Sequence, residues 1–323
     1  MNSRMEKFVI LVLGGARRVS LAKMLIESGK SRGMDVEIIS YELTAEVPIA
    51  KVAKVITGLK WSDKDVVDDL VRISIENEVR VILPFVDGAI EIASKCKEQL
   101  PDVFVPVSDY ETSRKMFDKV EAAAEFKKAG LPIPATYSVL NAEIPAIAKP
   151  RHGSASRGIK IYYNMEELMH LDNIHGYLIQ EYIVDAKEYT VDCYVARDGS
   201  VICAVPRERL EVMGGEVTRT ATCRNADLES LARQVLDSFT FRGPVTLQFL
   251  RDKSDGRFLL MEVNPRLGGG VICSVAAGAD IPGFIIQEAL GIKPAKCEDW
   301  KAGILMARYW EEVIFNLNDN AGE

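Results

Sequence analysis

The segment MEVNPR, residues 261–266, ends an apolar run with a carboxylate, an amide and an arginine. On a strand, alternate residues share a face, so Glu262 and Asn264 point together. Inside a core each polar group would need its own partner. As oxygen donors they instead suit a hard divalent cation whose shell nucleotide phosphates complete. Gln248, in VTLQF on the preceding apolar run, is a third oxygen donor for the same cleft. Arg266 stands where it can stabilise charge that develops during phosphoryl transfer.

A second segment, KPRHGSASRG at residues 149–158, joins the apolar runs 144–148 and 159–163. Glycine backbone wraps an anion with inward N–H groups while a lysine adds a point charge. Phosphate is therefore one candidate ligand, and a mobile solvated loop is the other reading that this segment leaves open. Lys119 falls in a charged amphipathic stretch over 113–128, where a lysine is ordinarily a solvated surface group.

The elements that must position these groups follow from the hydrophobic pattern. Over the first hundred residues short apolar runs (8–13, 36–40, 52–57, 79–84, 103–106) alternate with helical stretches (19–32, 65–76, 88–99). Such alternation indicates an open, mostly parallel α/β sheet with its ligand edge at the strand C-termini. GGARR, after the first run, lacks the dinucleotide spacing and reads as a tight strand-to-helix turn. Beyond residue 185 the chain is strand-rich, with hairpins expected through 198–199 and 253–255. A terminal strand is expected over 303–311, with Tyr309 and Trp310 as an aromatic core patch.

The 323 residues, 48% of them hydrophobic, suffice for two or three structural units. A net charge of −7 argues against a broad nucleic-acid surface. Six cysteines without metal-ligand spacing read as structural thiols in a reducing compartment. No 18-residue apolar run is present, so no membrane segment is expected and the cytoplasm is the expected location.

Several motifs occur in a fixed order: DK at 118–119, AIAKP at 146–150, the glycine-rich loop through Gly158, QEYI at 180–183, KEYTVD at 187–192, LQF and MEVNPR. Together they resemble the ATP-grasp superfamily, nearest its carbamoyl-phosphate-synthase-like and carboxylate–amine-ligase branches, over nearly the whole chain. The resemblance implies a mixed α/β and α+β protein: an open parallel α/β pre-grasp domain over 1–110, then an ATP-grasp fold over 111–323 with a small mobile lid at about 145–185.

It further implies ATP and Mg2+, with Mn2+ as an alternative cation. Lys119 and Lys149 would meet ATP phosphates, and the loop carrying Gly153, Ser154, Ser156 and Gly158 would close over them. Gln180, Glu181, Tyr182 and Ile183 would line the adenine edge, and Glu188 would hold the ribose hydroxyls. Gln248, Glu262 and Asn264 match metal-ligand positions, although many relatives carry an acid where Gln248 stands. Arg266, Lys149 and Arg207 would be catalytic, Arg207 near the γ-phosphate or a substrate carboxylate. Implied partners are a small-molecule carboxylate and an amine, with a homodimer by analogy and neither nucleic acid nor membrane. The implied reaction is carboxylate activation as an acyl phosphate followed by amine attack. Phosphorylation of bicarbonate or carbamate, and a nucleotide-binding regulatory protein without turnover, are the alternatives.

Overall fold

A computed structural model describes residues 5–153 and 157–317, in two structural units. The first comprises the described parts of Met1–Pro106, Pro282–Lys293 and Arg308–Glu323, the second Val107–Ile281 with Pro294–Ala307. Along the chain the first break between the units falls after Pro106, and two later segments return to the first.

In the first unit the apolar runs form β1 (Glu6–Leu13), β2 (Met34–Glu42), β3 (Lys54–Thr57) and β4 (Val79–Pro84), with helices α1 (Val19–Lys30), α2 (Val66–Glu76) and α3 (Asp87–Gln99) between or after them. The sheet order is β3-β2-β1-β4, every pair parallel. Its central strands are nearly continuous apolar runs, as sheets covered on both faces require; Phe8 to Leu13 are all buried. The run at 103–106 forms only an isolated bridge, Phe104 to Val81. After β1 the GGARR turn is already satisfied. The Glu42 carboxylate accepts from the backbone N–H groups of Gly15 and Ala16, and Ser40 Oγ donates to it at 2.6 Å. Those amides therefore serve the turn itself.

The amphipathic stretch at 113–128 is two helices, α4 (Tyr110–Phe117) and α5 (Lys119–Lys128), rather than one. Asp118 divides them. It adopts an extended conformation and its carboxylate caps α5, accepting from the N–H groups of Val120 and Glu121 at 3.0 and 3.2 Å. Lys119 therefore opens a helix instead of lying within one.

The lid sheet combines β5 (Thr136–Tyr137), β6 (Ala146–Pro150), β7 (Lys160–Tyr162) and β8 (Tyr177–Glu181), with α6 (Met165–Met169) before β8. Its order is β5-β8-β6-β7, antiparallel throughout, around Val139, Ala146, Ala148, Tyr162, Leu168 and Ile179. It begins earlier than residue 145 because β5 pairs with β8. The glycine-rich loop joins β6 to β7, and Ser154 and Ser156 lie outside the described residues.

The second sheet of this unit is built from β9 (Lys187–Val195), β10 (Val201–Met213), β11 (Glu216–Thr222), β12 (Gly243–Arg251) and β13 (Phe258–Asn264). Helix α7 (Ala226–Ser238) packs its apolar face on it; α8 (Val271–Ala276) and α9 (Ile281–Ala289) follow, then β14 (Leu305–Ala307). The order is β13-β12-β9-β10-β11-β14. The terminal strand is shorter than expected, and Tyr309 and Trp310 are 81% and 84% exposed, so they form no core patch.

Asp118 also pairs with Arg151 Nε at 2.5 Å, holding the end of β6 beside the start of α5. Asp118→Ala is expected to lower stability by about 1–2 kcal/mol through the lost cap, read as a shift of the urea midpoint at constant slope. Asp118→Asn should keep most of the capping contribution. An unchanged midpoint for Asp118→Ala would show that the helix break does not depend on this cap.

Candidate nucleotide and metal site

One face of the six-stranded sheet carries the core and the other carries the polar candidates. Along β9, Tyr189, Val191, Cys193 and Val195 enter the core, which leaves Glu188, Thr190 and Asp192 on the opposite face. Register then sets the neighbours. Glu262 lies opposite Gln248, Gln248 opposite Thr190, and Thr190 opposite Arg207. Beside that row run Asn264, Thr246 and Asp192.

Strand β13 reaches this arrangement only through a bulge. Phe258, Leu260 and Val263 all belong to the core, although the step from 260 to 263 breaks a period of two. Phe249 pairs with Leu260 and Gln248 with Glu262, so Met261 is the extra residue. Unbroken alternation from Phe258 would turn Glu262 and Asn264 into the core. The bulge re-aims them onto the polar face.

The lysines come from two other elements. On β6, Ala146 and Ala148 fill the lid core, so Lys149 faces the other way, opposite Leu178. Its Nζ donates to Gln180 Oε1 at 3.1 Å, and both side chains are buried. A cleft between the lid sheet, α5 and β13 is lined by Lys119, Gln180 and Glu262 together with Ala122, Leu178 and Met261. Burial pushes the Lys149 ammonium from its ordinary 10.5 down to about 8. Glu262 and Glu188 act against that shift and Lys119 adds to it. Such a displacement corresponds to about 3 kcal/mol against the charged form. Lys149, Lys119, Glu262 and Glu188 thus share one electrostatic environment. Lys119 Nζ donates to the Gly153 carbonyl at 2.7 Å, holding the start of the glycine-rich loop.

The remaining candidates are placed as follows. The Gln180 side chain is spent on Lys149, with longer contacts from its Nε2 to the Pro134 carbonyl and Thr136 Oγ1, and so orients the lysine. Glu181 pairs with Arg257 Nη2 at 2.8 Å. Tyr182 packs edge-on against Tyr163, and Ile183 is buried after the strand. Glu188 Oε2 lies 2.9 Å from Arg209 Nε but off the line of its N–H, so that nitrogen has no hydrogen bond. Gly158 adopts a left-handed φ of 74°, closing the loop back toward β7. Arg266 is half-buried, and its Nη1 donates to the Leu267 carbonyl at 3.2 Å. Arg207 departs from the expected role: it is 1% exposed and its guanidinium faces Asp192 within the sheet. Arg257, Thr190 and Asp192 received no role from the sequence. Only strand register shows that Thr190 and Asp192 lie between the metal candidates and Arg207.

Among the described residues no group of three or more histidine, cysteine, aspartate or glutamate side chains can hold a metal ion. Glu262 with the amide oxygens of Gln248 and Asn264 offers one negative charge. That set fits Mg2+ when phosphate oxygens supply the remaining charge and ligands. Thr190 Oγ1, fully buried between Gln248 and Arg207 in register, has no hydrogen-bond partner. An unpaired buried hydroxyl is costly, and it lies on the same face as the donors.

Comparison with known proteins bears on this geometry. A family model described as ATP-grasp in the biosynthetic pathway with Ter operon matches residues 174–312. The N-terminal section of the carbamoyl phosphate synthase large chain of Methanopyrus kandleri is 26% identical over 237 residues, 64% of this chain and 42% of that one. N5-carboxyaminoimidazole synthetase from Staphylococcus aureus superposes with a TM-score of 0.71 at 19% identity, covering 92% of this chain and 81% of that one. The chain is thus similar to ATP-grasp proteins, by family model over residues 174–312 and by fold over most of its length. The biotin carboxylase domain of Hydrogenobacter thermophilus 2-oxoglutarate carboxylase, a dimer in complex with MgADP, ADP and bicarbonate, has the same ATP-grasp fold (TM-score 0.73, 19% identity, 91% of this chain and 72% of that one). The expected α/β architecture is observed. The chain spans less than half the length of the first curated relatives it matches.

For an ATP-grasp cleft the state of Lys149 sets a measurable pH limit. Below about pH 8 the lysine is already charged in the free protein, so phosphate binding needs no proton uptake. Above that point each binding event must protonate it. The affinity for Mg·ADP, measured by titration calorimetry, should be level below about pH 7.5 and fall by up to tenfold per pH unit above about 8. Lys149→Arg, charged throughout, should flatten the profile. A wild-type profile that stays level to about pH 9.5 would refute the assignment.

Proposed function

We propose that this chain is an ATP- and Mg2+-dependent ligase that activates a small-molecule carboxylate as an acyl phosphate for attack by an amine. The observation that carries the reading is that Lys119 and Glu262 line one cleft with Gln180, the hydrogen-bond partner of Lys149, and both act on the Lys149 ammonium. Glu262 and Glu188 offset only part of the desolvation of the Lys149 ammonium, and phosphate oxygens would supply the further negative charge that the buried lysine lacks. Desolvation makes each charge there more effective than in water.

ATP and the carboxylate are substrates. A carboxylate oxygen attacks the γ-phosphorus, the bond from that phosphorus to the β,γ-bridging oxygen breaks, and ADP leaves. The amine nitrogen then attacks the acyl carbon, phosphate departs with the C–O electron pair, and the amine proton passes to solvent. Lys149 and Lys119 neutralise the phosphate charge, Lys149 being held in place by Gln180. Arg266 meets the transferred phosphoryl group. Glu262, Asn264 and Gln248 would hold the Mg2+, with Mn2+ as a substitute, and the cation supplies charge neutralisation at the phosphate oxygens. Glu188 takes the ribose hydroxyls, and backbone groups at residues 181–183 meet the adenine. The lid, with the glycine-rich loop, excludes water from the acyl phosphate. The reading includes a homodimer, supported by the dimeric biotin carboxylase domain that shares the fold, and a cytoplasmic location, where ATP is supplied.

A second reading, phosphorylation of bicarbonate, draws on the matches to carbamoyl phosphate synthase large chains. Release of ADP from Mg·ATP, measured across pools of carboxylates and amines, separates the readings. The ligase should release ADP only with a matching carboxylate and give an amide product with the matching amine. Bicarbonate-dependent release in place of this would select the second reading. Tight nucleotide binding without turnover in any pool would make the protein a regulator instead. Glu262→Gln should cut turnover by about 100-fold or more, the scale of lost electrostatic stabilisation, with the unfolding temperature unchanged.

A further inference from the structure

We propose that Arg207 and Asp192 form a buried positioning pair that holds the loop over residues 266–270, and with it Arg266, above the sheet. This rests on the ligase reading for the role of Arg266, but the arrangement of the loop does not. Arg207 and Asp192 are each 1% exposed. Arg207 Nε donates to Asp192 Oδ2 at 2.8 Å and Nη2 to Oδ1 at 3.3 Å, while Nη1 donates to Thr220 Oγ1 at 3.4 Å. All three nitrogens of the guanidinium therefore have an acceptor inside the protein. Ser274 Oγ of α8 adds a 2.6 Å hydrogen bond to Asp192 Oδ2. The pair thus ties β9, β10 and β11 to the helix that follows the loop.

The loop lies directly on this pair. A Cβ at Gly270 would stand 2.6 Å from Arg207 Nη1. A Cβ at Gly268 would stand 2.9 Å from Thr246 Oγ1 and 3.3 Å from Asp192 Oδ1. Thr246 Oγ1 donates to the Arg266 carbonyl at 2.9 Å, fixing the start of the same loop. The glycines of LGGG permit this approach, since a Cβ at 268 or 270 would force the loop or the side chains beneath it to shift. A bidentate arginine–carboxylate pair is planar and directional, so it sets the height and tilt of what rests on it. Arg207 thus acts on phosphoryl transfer through the loop and not by touching the nucleotide.

The test combines hydrogen exchange of the loop, Mg·ADP affinity and the kinetics of ADP release. Arg207→Gln and Asp192→Asn should each speed amide exchange over 266–271, lower kcat by about tenfold or more and leave the Mg·ADP Kd and the KM for ATP within about threefold. Their double variant should be no worse than the worse single one, because both remove one interaction. Arg207→Lys should recover part of kcat. Because Arg207→Gln strands a buried carboxylate, Gly270→Ala serves as a second handle that leaves both charges in place. It should loosen the loop and lower kcat with nucleotide affinity retained. A tenfold weaker Mg·ADP affinity in Arg207→Gln, with unchanged loop exchange, would mean direct contact with the nucleotide and overturn the proposal. Unaltered loop exchange in Gly270→Ala and Asp192→Asn would overturn it as well. If no substrate pool supports turnover, the ligase reading fails, while exchange and affinity still decide whether the pair holds the loop.

Discussion

The structure depends on one desolvated charge. Lys149 is buried against a lid whose own core turns away from it, and the free protein holds it at a pKa of about 8. Glu262 and Glu188 offset part of that desolvation, and Lys119 works against them. The carboxylates therefore compensate the buried ammonium only in part. Gln180 is committed to Lys149, Asp118 to the start of α5 and to Arg151, and Glu181 to Arg257. Asp118 and Glu181 are thus engaged elsewhere, while Glu262 and Glu188 act on Lys149.

A second constraint is the metal donor set. A single carboxylate between two amides binds Mg2+ weakly by charge alone. The geometry suits a cation that arrives with its phosphates. Gln248, an amide and not an acid, lowers the negative charge of the sheet face beside Glu262. The fully buried and unpaired Thr190 hydroxyl, next in register to Gln248, belongs to the same face.

Much of the site was legible in the chain. MEVNPR announced a polar end to an apolar strand, and Lys149 followed by a glycine-rich loop announced an anion. Their common cleft is an expectation carried by motif order, and strand register brings Glu262 and Gln248 together on one sheet face. Arg207, which the resemblance puts near a phosphate or a substrate carboxylate, is buried on Asp192, and no local pattern reveals that pairing. Gln180 sits in the motif whose backbone is expected at the adenine edge, and its side chain serves the lysine on the neighbouring strand. Tyr309 and Trp310 are apolar in composition and exposed in fact, since β14 ends before them.

What the sequence by itself determined is whatever depends on near neighbours: alternating strands, glycine turns, the parallel sheet of the first unit, and the types of donor available for phosphate and metal. What tertiary structure alone decided depends on register and on partners far along the chain. The bulge at Met261 is the clearest case. Period-two alternation from Phe258 aims Glu262 and Asn264 inward, and one extra residue against β12 aims them at the cleft. A bulge is a property of two paired strands, so no window within either strand encodes it. The division of the helical stretch at Asp118 is intermediate. Its cap is local, but the Arg151 that steadies it comes from β6.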